Sequence, residues 1–424
     1  MEGIKKDHKK ATHGIGRNAP HRLRQILRWI VGILTAGFLA FLMMFLVINK
    51  YPAAGATGAD WLRSVVGDKA VAVLEMMVFQ LQDKYQMLKY QLGMEAPAEE
   101  WGFIPSASAS PTFSAGTNTE SQLSITPTPA ITGTIQPTIT SIIPWQPAVI
   151  STLTQTNGEG IWIPYLQDAQ GKTIGFKTIV HPDPDRPYTL TAIVGVDLMQ
   201  ARLHYVLGSL EPSLPGTPER PGVMPEADRS GTILLAAFNG GFQARHGRFG
   251  AMADGIQALP VRDGLGTIVI YKDGEVQIGK WGSDLGFSKE IEAFRQNGPL
   301  VIEKGQINPQ IYNNSPEDWG HTVDDVSPTA RSGIGLSKDN HTLYYFSGYS
   351  LTMEGLAKSM QMAGIYNAIQ LDINYYWVLF VKITPSGSKL VSEPLVPWEM
   401  VADLDRFIKK SPRDFFYITS LIKE

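Results

Sequence analysis

The chain has 424 residues, a formal charge of −3 and a hydrophobic fraction of 43%. That is enough for one large or two ordinary domains, without the basic excess that nucleic-acid binding needs. With no cysteine at all, disulfides, cysteine-ligated zinc and thiol nucleophiles are excluded together.

In chain order, the first 28 residues hold eight basic side chains (Lys5, Lys6, Lys9, Lys10, Arg17, Arg22, Arg24, Arg28) against Glu2 and Asp7. "WIVGILTAGFLAFLMMFLVI", residues 29–48, follows without a charge. At about 1.5 Å per residue such a helix spans roughly 30 Å, the thickness of a bilayer's hydrocarbon core. The expectation is an uncleaved signal anchor. The basic tail 1–28 stays in the cytoplasm, one transmembrane helix crosses a bacterial cell membrane, and everything beyond Lys50 lies outside.

Residues 59–92 read as an amphipathic helical segment. Leu74, Val78, Leu81, Tyr85, Leu88 and Leu92 recur every three or four positions. Such a helix packs on the following domain or lies on the membrane, with self-association through 74–92 as the alternative. Residues 95–158 are rich in Ser, Thr and Pro, and no Lys or Arg occurs between Lys89 and Lys172. A segment of that composition buries too little to offset its ordering entropy, so a disordered stalk is expected.

From 160 to 424 the pattern is that of a folded extracytoplasmic domain. Strands are expected at 188–197, 201–208 and 232–238, and hairpins at 267–279, about Asp273-Gly274, and at 332–346. Helices are expected at 288–296, 353–364 and 397–410. The fold class is α+β with a mainly antiparallel sheet core and a few packing helices.

Three stretches carry groups suited to chemistry. "LLAAFNGGFQARHG" (234–247) runs a buried strand into Asn239-Gly240-Gly241, where missing Cβ atoms let backbone approach a ligand and amides hold an oxyanion; a plain turn is the other reading. In "GHTVDDVSPTARSGIGLS" (320–337), Arg331 stands at a strand mouth with His321 ten residues upstream. Such an arginine binds phosphate in a two-pronged way, or pairs with Asp324 and Asp325 at the surface. "NAIQLDINYYW" (367–377) ends an apolar strand on Asp372, which is a nucleophile, a base, an orienting group or a loop cap. No histidine spacing suits a metal, and no cofactor is expected.

Taken in order, "AAFNGGF", "QNGPLVIEKGQI", "ARSGIGLSKDNHTLYYF" and "TMEGLAKSMQMAGIYNAIQLD" resemble the phosphodiester glycosidase family over roughly residues 176–384. The resemblance implies a hydrolase of glycosyl-phosphate linkages in envelope or extracellular polysaccharide, with a glycan or sugar-phosphate substrate. It places Asp372 against developing positive charge, with Arg331 and His321 on the phosphate. Asn239, Gly240, Gly241 and Asn297 become substrate-binding groups. Where the family has Gly-Gly after the aspartate, this chain has Ile373-Asn374 and then Tyr375-Tyr376. That departure makes Asn374 and Tyr376 candidates for a sugar platform. It also leaves open a non-catalytic glycan-binding or envelope-scaffold relative.

Overall fold

The computed structural model describes residues 62–63, 65–94, 145–152, 158–230, 233–313, 319, 327–396 and 403–421, with Arg28, Trp29, Val31, Gly32, Thr35 and Gly58 as isolated positions. The chain divides into two compact units, residues 1–58 and 59–424. In the first, the described positions between Arg28 and Thr35 are helical; the rest of the expected 29–48 span lies outside the described residues. Among the described residues no helix is long and apolar enough to cross a membrane.

The second unit is built on three antiparallel sheets. The largest runs in spatial order β1 (Ile163–Gln167), β2 (Thr173–Val180), β3 (Thr191–Asp197), β14 (Thr342–Leu351), β13 (Thr329–Leu336), β15 (Asn367–Gln370), β11 (Leu300–Glu303) and β12 (Gln306–Ile307). A second has β7 (Ile256–Leu259), β6 (Ala251–Ala253), β10 (Ile291–Gln296), β8 (Gly266–Tyr271) and β9 (Val276–Lys280). The third has β17 (Lys389–Pro394), β16 (Phe380–Ser386), β5 (Leu234–Asn239), β18 (Phe415–Ser420) and β4 (Ala201–Val206). The strands expected at 188–197, 201–208 and 232–238 and both hairpins form, within a few residues of their expected ends.

The large sheet is buried on both faces, which explains its near-continuous apolar strands. Successive side chains alternate between two cores: Val194, Leu343 and Tyr345 enter the cluster shared with the other sheets, while Ile193, Tyr344 and Phe346 enter a second cluster. That second cluster is closed by helix α2 (Met353–Met362) through Met353, Leu356, Ala357 and Met360. Fully burying side chains of this size contributes about 1.5–3 kcal/mol each. The Thr352 hydroxyl caps the helix by accepting from the Gly355 amide at 3.0 Å, worth about 1 kcal/mol.

Two helical expectations change, and one unassigned stretch gains a place. Residues 288–296 do not form a helix, because 291–296 is β10, with Arg295 and Gln296 buried inside the fold. Two apolar residues three apart mimicked a helical period in a strand buried on both sides. Of the 397–410 helix, 397–402 lies outside the described residues and 403–410 makes turns. There Asp403 turns its carboxylate onto the Asp405 amide at 3.2 Å, the local competition that disfavours a helix interior. "RDFFYITS", which carried no structural assignment, is the most consequential: it ends in β18, between β5 and β4 in the third sheet.

Within residues 59–92 lies the helix α1 (Asp68–Gln91). This helix packs on the domain. Val71 and Val78 are buried, Asp83 pairs with Arg186 and accepts from the Tyr188 hydroxyl, and the rings of Tyr90 and Tyr188 lie 6.3 Å apart. Most of the Ser/Thr/Pro-rich stretch 95–158 lies outside the described residues, but its end is not a disordered stalk, because residues 145–150 pack on the fold. The Trp145 ring meets Phe176 edge-on, and Trp162 donates to the Ala148 carbonyl at 2.8 Å. The helix before that stretch and the end of the stretch itself are therefore attached to the same domain.

Candidate functional site

Asp372 stands two residues beyond β15 and is 5% exposed. Its backbone is held from two sides: its amide donates to the Gly240 carbonyl at 3.1 Å, and its carbonyl accepts from the Ser332 hydroxyl at 2.8 Å. The carboxylate has two different partners. Oδ1 accepts from the Asn374 amide at 2.9 Å, and Oδ2 accepts from Nη2 of Arg413. Asp372 is thus both a loop cap and half of an ion pair.

Arg413 was not singled out in the sequence. Its Nη2 also donates to the Gly241 carbonyl at 3.0 Å, so both of that nitrogen's protons are engaged. Its Nε is buried without a partner, and its Nη1 makes no hydrogen bond to a described residue. The guanidinium lies over the Trp377 indole, 5.1 Å from its centroid. Arg406 occupies the same aromatic pair, 4.3 Å from Tyr376 and 4.8 Å from Trp377, and donates to the Tyr376 carbonyl at 2.9 Å.

The Asn-Gly-Gly turn behaves differently from the ligand cradle expected of it. The Gly240 amide donates to the Asp414 carbonyl at 3.0 Å, the Gly241 amide to Asp414 Oδ2 at 3.1 Å, and the Phe242 amide to Asn297 Oδ1 at 2.9 Å. Three successive donors are consumed inside the protein, leaving none for an oxyanion. The glycines are required all the same. A Cβ on Gly240 would overlap the Asp414 carboxylate, and one on Gly241 would stand 2.7 Å from Asn297 Oδ1 and 2.8 Å from Arg295 Nη2. The close approach is real, but the approaching groups are the chain's own side chains.

The asparagines are tied up in the same way. Asn239 accepts from the Tyr345 hydroxyl at 2.9 Å and the Leu379 amide at 3.2 Å, and donates to the Ser332 hydroxyl at 2.9 Å. Asn297 donates to the Gln370 and Leu371 carbonyls at 2.7 and 3.1 Å. Asn374 turns its side-chain oxygen onto the Tyr376 amide at 3.0 Å, which caps the aromatic turn. Asn239 and Asn297 couple the motifs to one another rather than facing outward, while half-buried Asn374 caps only its own turn. Ile373, standing where the family pattern has glycine, packs with Phe242 and Phe249 and so pins the turn to the loop after β5.

Arg331 lies elsewhere. It is fully buried, donating from Nε to the Leu351 carbonyl at 3.0 Å and from Nη1 to Gln370 Oε1 at 3.1 Å, with Met353 Sδ at 3.7 Å. Strand alternation explains this: Ser332 faces Asp372, so its neighbour must face α2. Arg331 is therefore turned away from Asp372, and the cation on that carboxylate is Arg413. His321 lies outside the described residues.

Beneath the pair is a second one. Arg295 Nε donates to Asp414 Oδ2 at 2.8 Å, and Tyr205 donates its hydroxyl to the same oxygen at 2.9 Å. The Arg295 guanidinium also reaches the carbonyls of Phe242, Phe249 and Gln296 at 2.5, 3.1 and 2.8 Å. Burial pushes the Tyr205 hydroxyl well above its ordinary range, and the Asp414 charge adds to the shift. Burial works against the Arg295 cation, but the adjacent Asp414 carboxylate outweighs it and raises its pKa. Among the described residues no group of three or more His, Asp or Glu side chains is placed to hold a metal ion.

Comparison with known proteins adds four facts. No curated protein sequence matches the chain. Among solved structures, it is similar to the catalytic domain of zebrafish N-acetylglucosamine-1-phosphodiester alpha-N-acetylglucosaminidase, auto-inhibited by its pro-peptide. The identity is 19%, over 62% of this chain and 88% of that one, with a TM-score of 0.38. It is also similar to a hypothetical protein from Synechocystis, at 12% identity over 64% of this chain and 68% of that one, with a TM-score of 0.34. Residues 232–372 match the phosphodiester glycosidase family. The match begins at β5 and ends on Asp372, so the segment similar to that family takes in the Asn-Gly-Gly turn, Asn297, Arg331 and Asp372.

Proposed function

We propose that this protein is a hydrolase of glycosyl phosphodiester bonds, acting at the Asp372–Arg413 pair, and that residues 29–48 anchor it in a bacterial membrane with the sheet domain outside. The supporting observation is the incompleteness of that pair. Arg413 is held by Asp372, Gly241 and Trp377, yet Nη1 and Nε have no hydrogen-bond partner among the described residues. A guanidinium with spare donors beside a carboxylate suits a substrate that carries a phosphate next to an incipient sugar cation.

In this reading Arg413 accepts the phosphodiester. Asp372 faces the anomeric carbon and opposes the positive charge that grows as the carbon–oxygen bond breaks. Phosphate leaves as the monoester, water adds its hydroxyl to the sugar, and its proton passes to the leaving monoester or to Asp372. A phosphate leaving group is weakly basic, so little acid assistance is needed. The substrate would be an envelope or extracellular polysaccharide carrying sugar-1-phosphodiester units.

The test is release of reducing sugar from a panel of sugar-1-phosphodiesters by the purified full chain. Asp372→Asn should lower turnover by about 10²–10⁴-fold; wild-type turnover in that variant would remove the assignment. A second reading, a glycan-binding relative without turnover, is favoured by the turn at Ile373–Trp377, which fills space that the family pattern leaves to glycine. Glycan binding by a wild type that cleaves nothing in the panel would select it.

A further inference from the structure

Helix α1 contains a surface that the domain does not use. Val73, Met77, Leu81, Tyr85, Leu88 and Leu92 are exposed, Tyr85 at 51% and Leu92 at 63%. At about 100° per residue these six fall within roughly a third of the helix circumference. They form one apolar stripe about 28 Å long. Val71 and Val78, which contact the domain, lie to one side of it, and Asp83 and Tyr90, which hold Arg186 and Tyr188, lie nearly opposite.

The charges of the helix are segregated in the same sense. Its described acidic side chains are both engaged: Glu75 with Arg63 at 2.6 Å, and Asp83 with Arg186. Lys84 is exposed and lies within the stripe, and Lys89 lies over the Tyr85 ring at 4.9 Å. The outer face therefore offers apolar side chains, a tyrosine and cations. Such a face matches the boundary between anionic headgroups and acyl chains, where apolar side chains sink and lysines remain at headgroup level. A second copy fits less well, because a parallel partner in register would set Lys84 against Lys84.

The surrounding sequence names the occupant. The uncharged stretch 29–48 ends just before a 19-residue link to Asp68, a link that reaches at most about 65 Å. We infer that the outer face of α1 rests on an anionic lipid surface and holds the sheet domain against it. This inference rests on the membrane anchoring proposed for residues 29–48 and not on the hydrolase reading, since it uses none of the residues around Asp372.

Because the chain lacks cysteine, one introduced thiol reports one position. Full-length Leu81→Cys, and separately Leu88→Cys in case one variant fails to fold, would carry an environment-sensitive dye and be reconstituted in vesicles with brominated acyl chains. Met199→Cys, on the exposed turn after β3, is the control. With about one third phosphatidylglycerol, quenching at 81 and 88 should exceed that at 199 at least twofold, and Lys84→Glu should weaken it by about five-fold. Water-like emission at both helix positions would overturn the inference. So would disulfide cross-linking between copies at 81 without lipid quenching, which would assign the face to a second copy.

Discussion

Two ion pairs meet at one dipeptide. Arg413 and Asp414 are adjacent, yet one reaches Asp372 and the other reaches Arg295. The deeper pair is fully enclosed, and its guanidinium spends every nitrogen on the protein: Asp414 and the carbonyls of residues 242, 249 and 296. In the shallower pair the guanidinium keeps two nitrogens without hydrogen bonds to described residues. Similar burial thus hides a difference in how fully the two guanidinium groups are hydrogen-bonded. The Arg295 guanidinium is saturated and holds backbone in place, its pair keeping only Asp414 Oδ1 without a partner, whereas the Arg413 guanidinium has spare donors, as the ligand role proposed for it requires.

The sharpest way to break this comparison is to remove one partner from each pair. Asp414→Ala should cost about 3–5 kcal/mol, because it strands the Arg295 charge and frees the amide of Gly241 together. A denaturant midpoint indistinguishable from wild type would show that the deeper pair holds nothing. Arg413→Lys keeps a charge beside Asp372 but loses the planar donors. It should lower turnover by about 10²-fold with little change in midpoint. If that variant instead unfolds like Asp414→Ala, the two pairs do the same job.

Acid sensitivity should arise at His204. His204 stacks on Tyr417 at 4.5 Å, contacts Thr419 Oγ1 at 2.9 Å, and burial pulls its pKa down to about 4. The unfolded imidazole takes up its proton near 6.5, so the unfolded state binds more protons between those values. Stability should then fall as pH drops from about 6.5 to about 4, by on the order of 3 kcal/mol. His204→Phe should flatten that slope in urea titrations; an unchanged slope would place the sensitivity elsewhere.

The smallest effect tests the shallower pair from behind. Arg406 clamps Tyr376 and Trp377, and Trp377 supports Arg413. Arg406→Ala should reduce turnover by about ten-fold, mostly as a higher KM, with Arg406→Lys recovering part of the loss. Identical kinetics in the alanine variant would detach the aromatic turn from the site.

Much of this arrangement was legible in residue order. Asn239, the glycine pair, Asn297 and Asp372 do converge, and their motifs mark strand ends of the kind where chains cross. What their chemistry could not reveal was the direction each group faces. Arg331 and Ser332 differ by one position on a strand, and only pairing with β14 and β15 decides which of them meets Asp372. The asparagines looked like ligand-binding groups because amides satisfy backbone and sugars equally well. Arg413 and Asp414 were hidden for another reason. A charged dipeptide ahead of "FFYITS" resembles an ordinary strand start, and its meaning depends on a sheet neighbour more than 170 residues earlier in the chain.

The position of β18 has a consequence for biosynthesis. Translation delivers Asp372 41 residues before Arg413, and the third sheet lacks the strand that joins β5 to β4 until residue 420 has emerged. A ribosome-bound or truncated chain would carry the aspartate without its cation and β5 without one of its flanking strands. Competence therefore arrives late, as a property of the finished polypeptide, and shortened products should be inert rather than partly active.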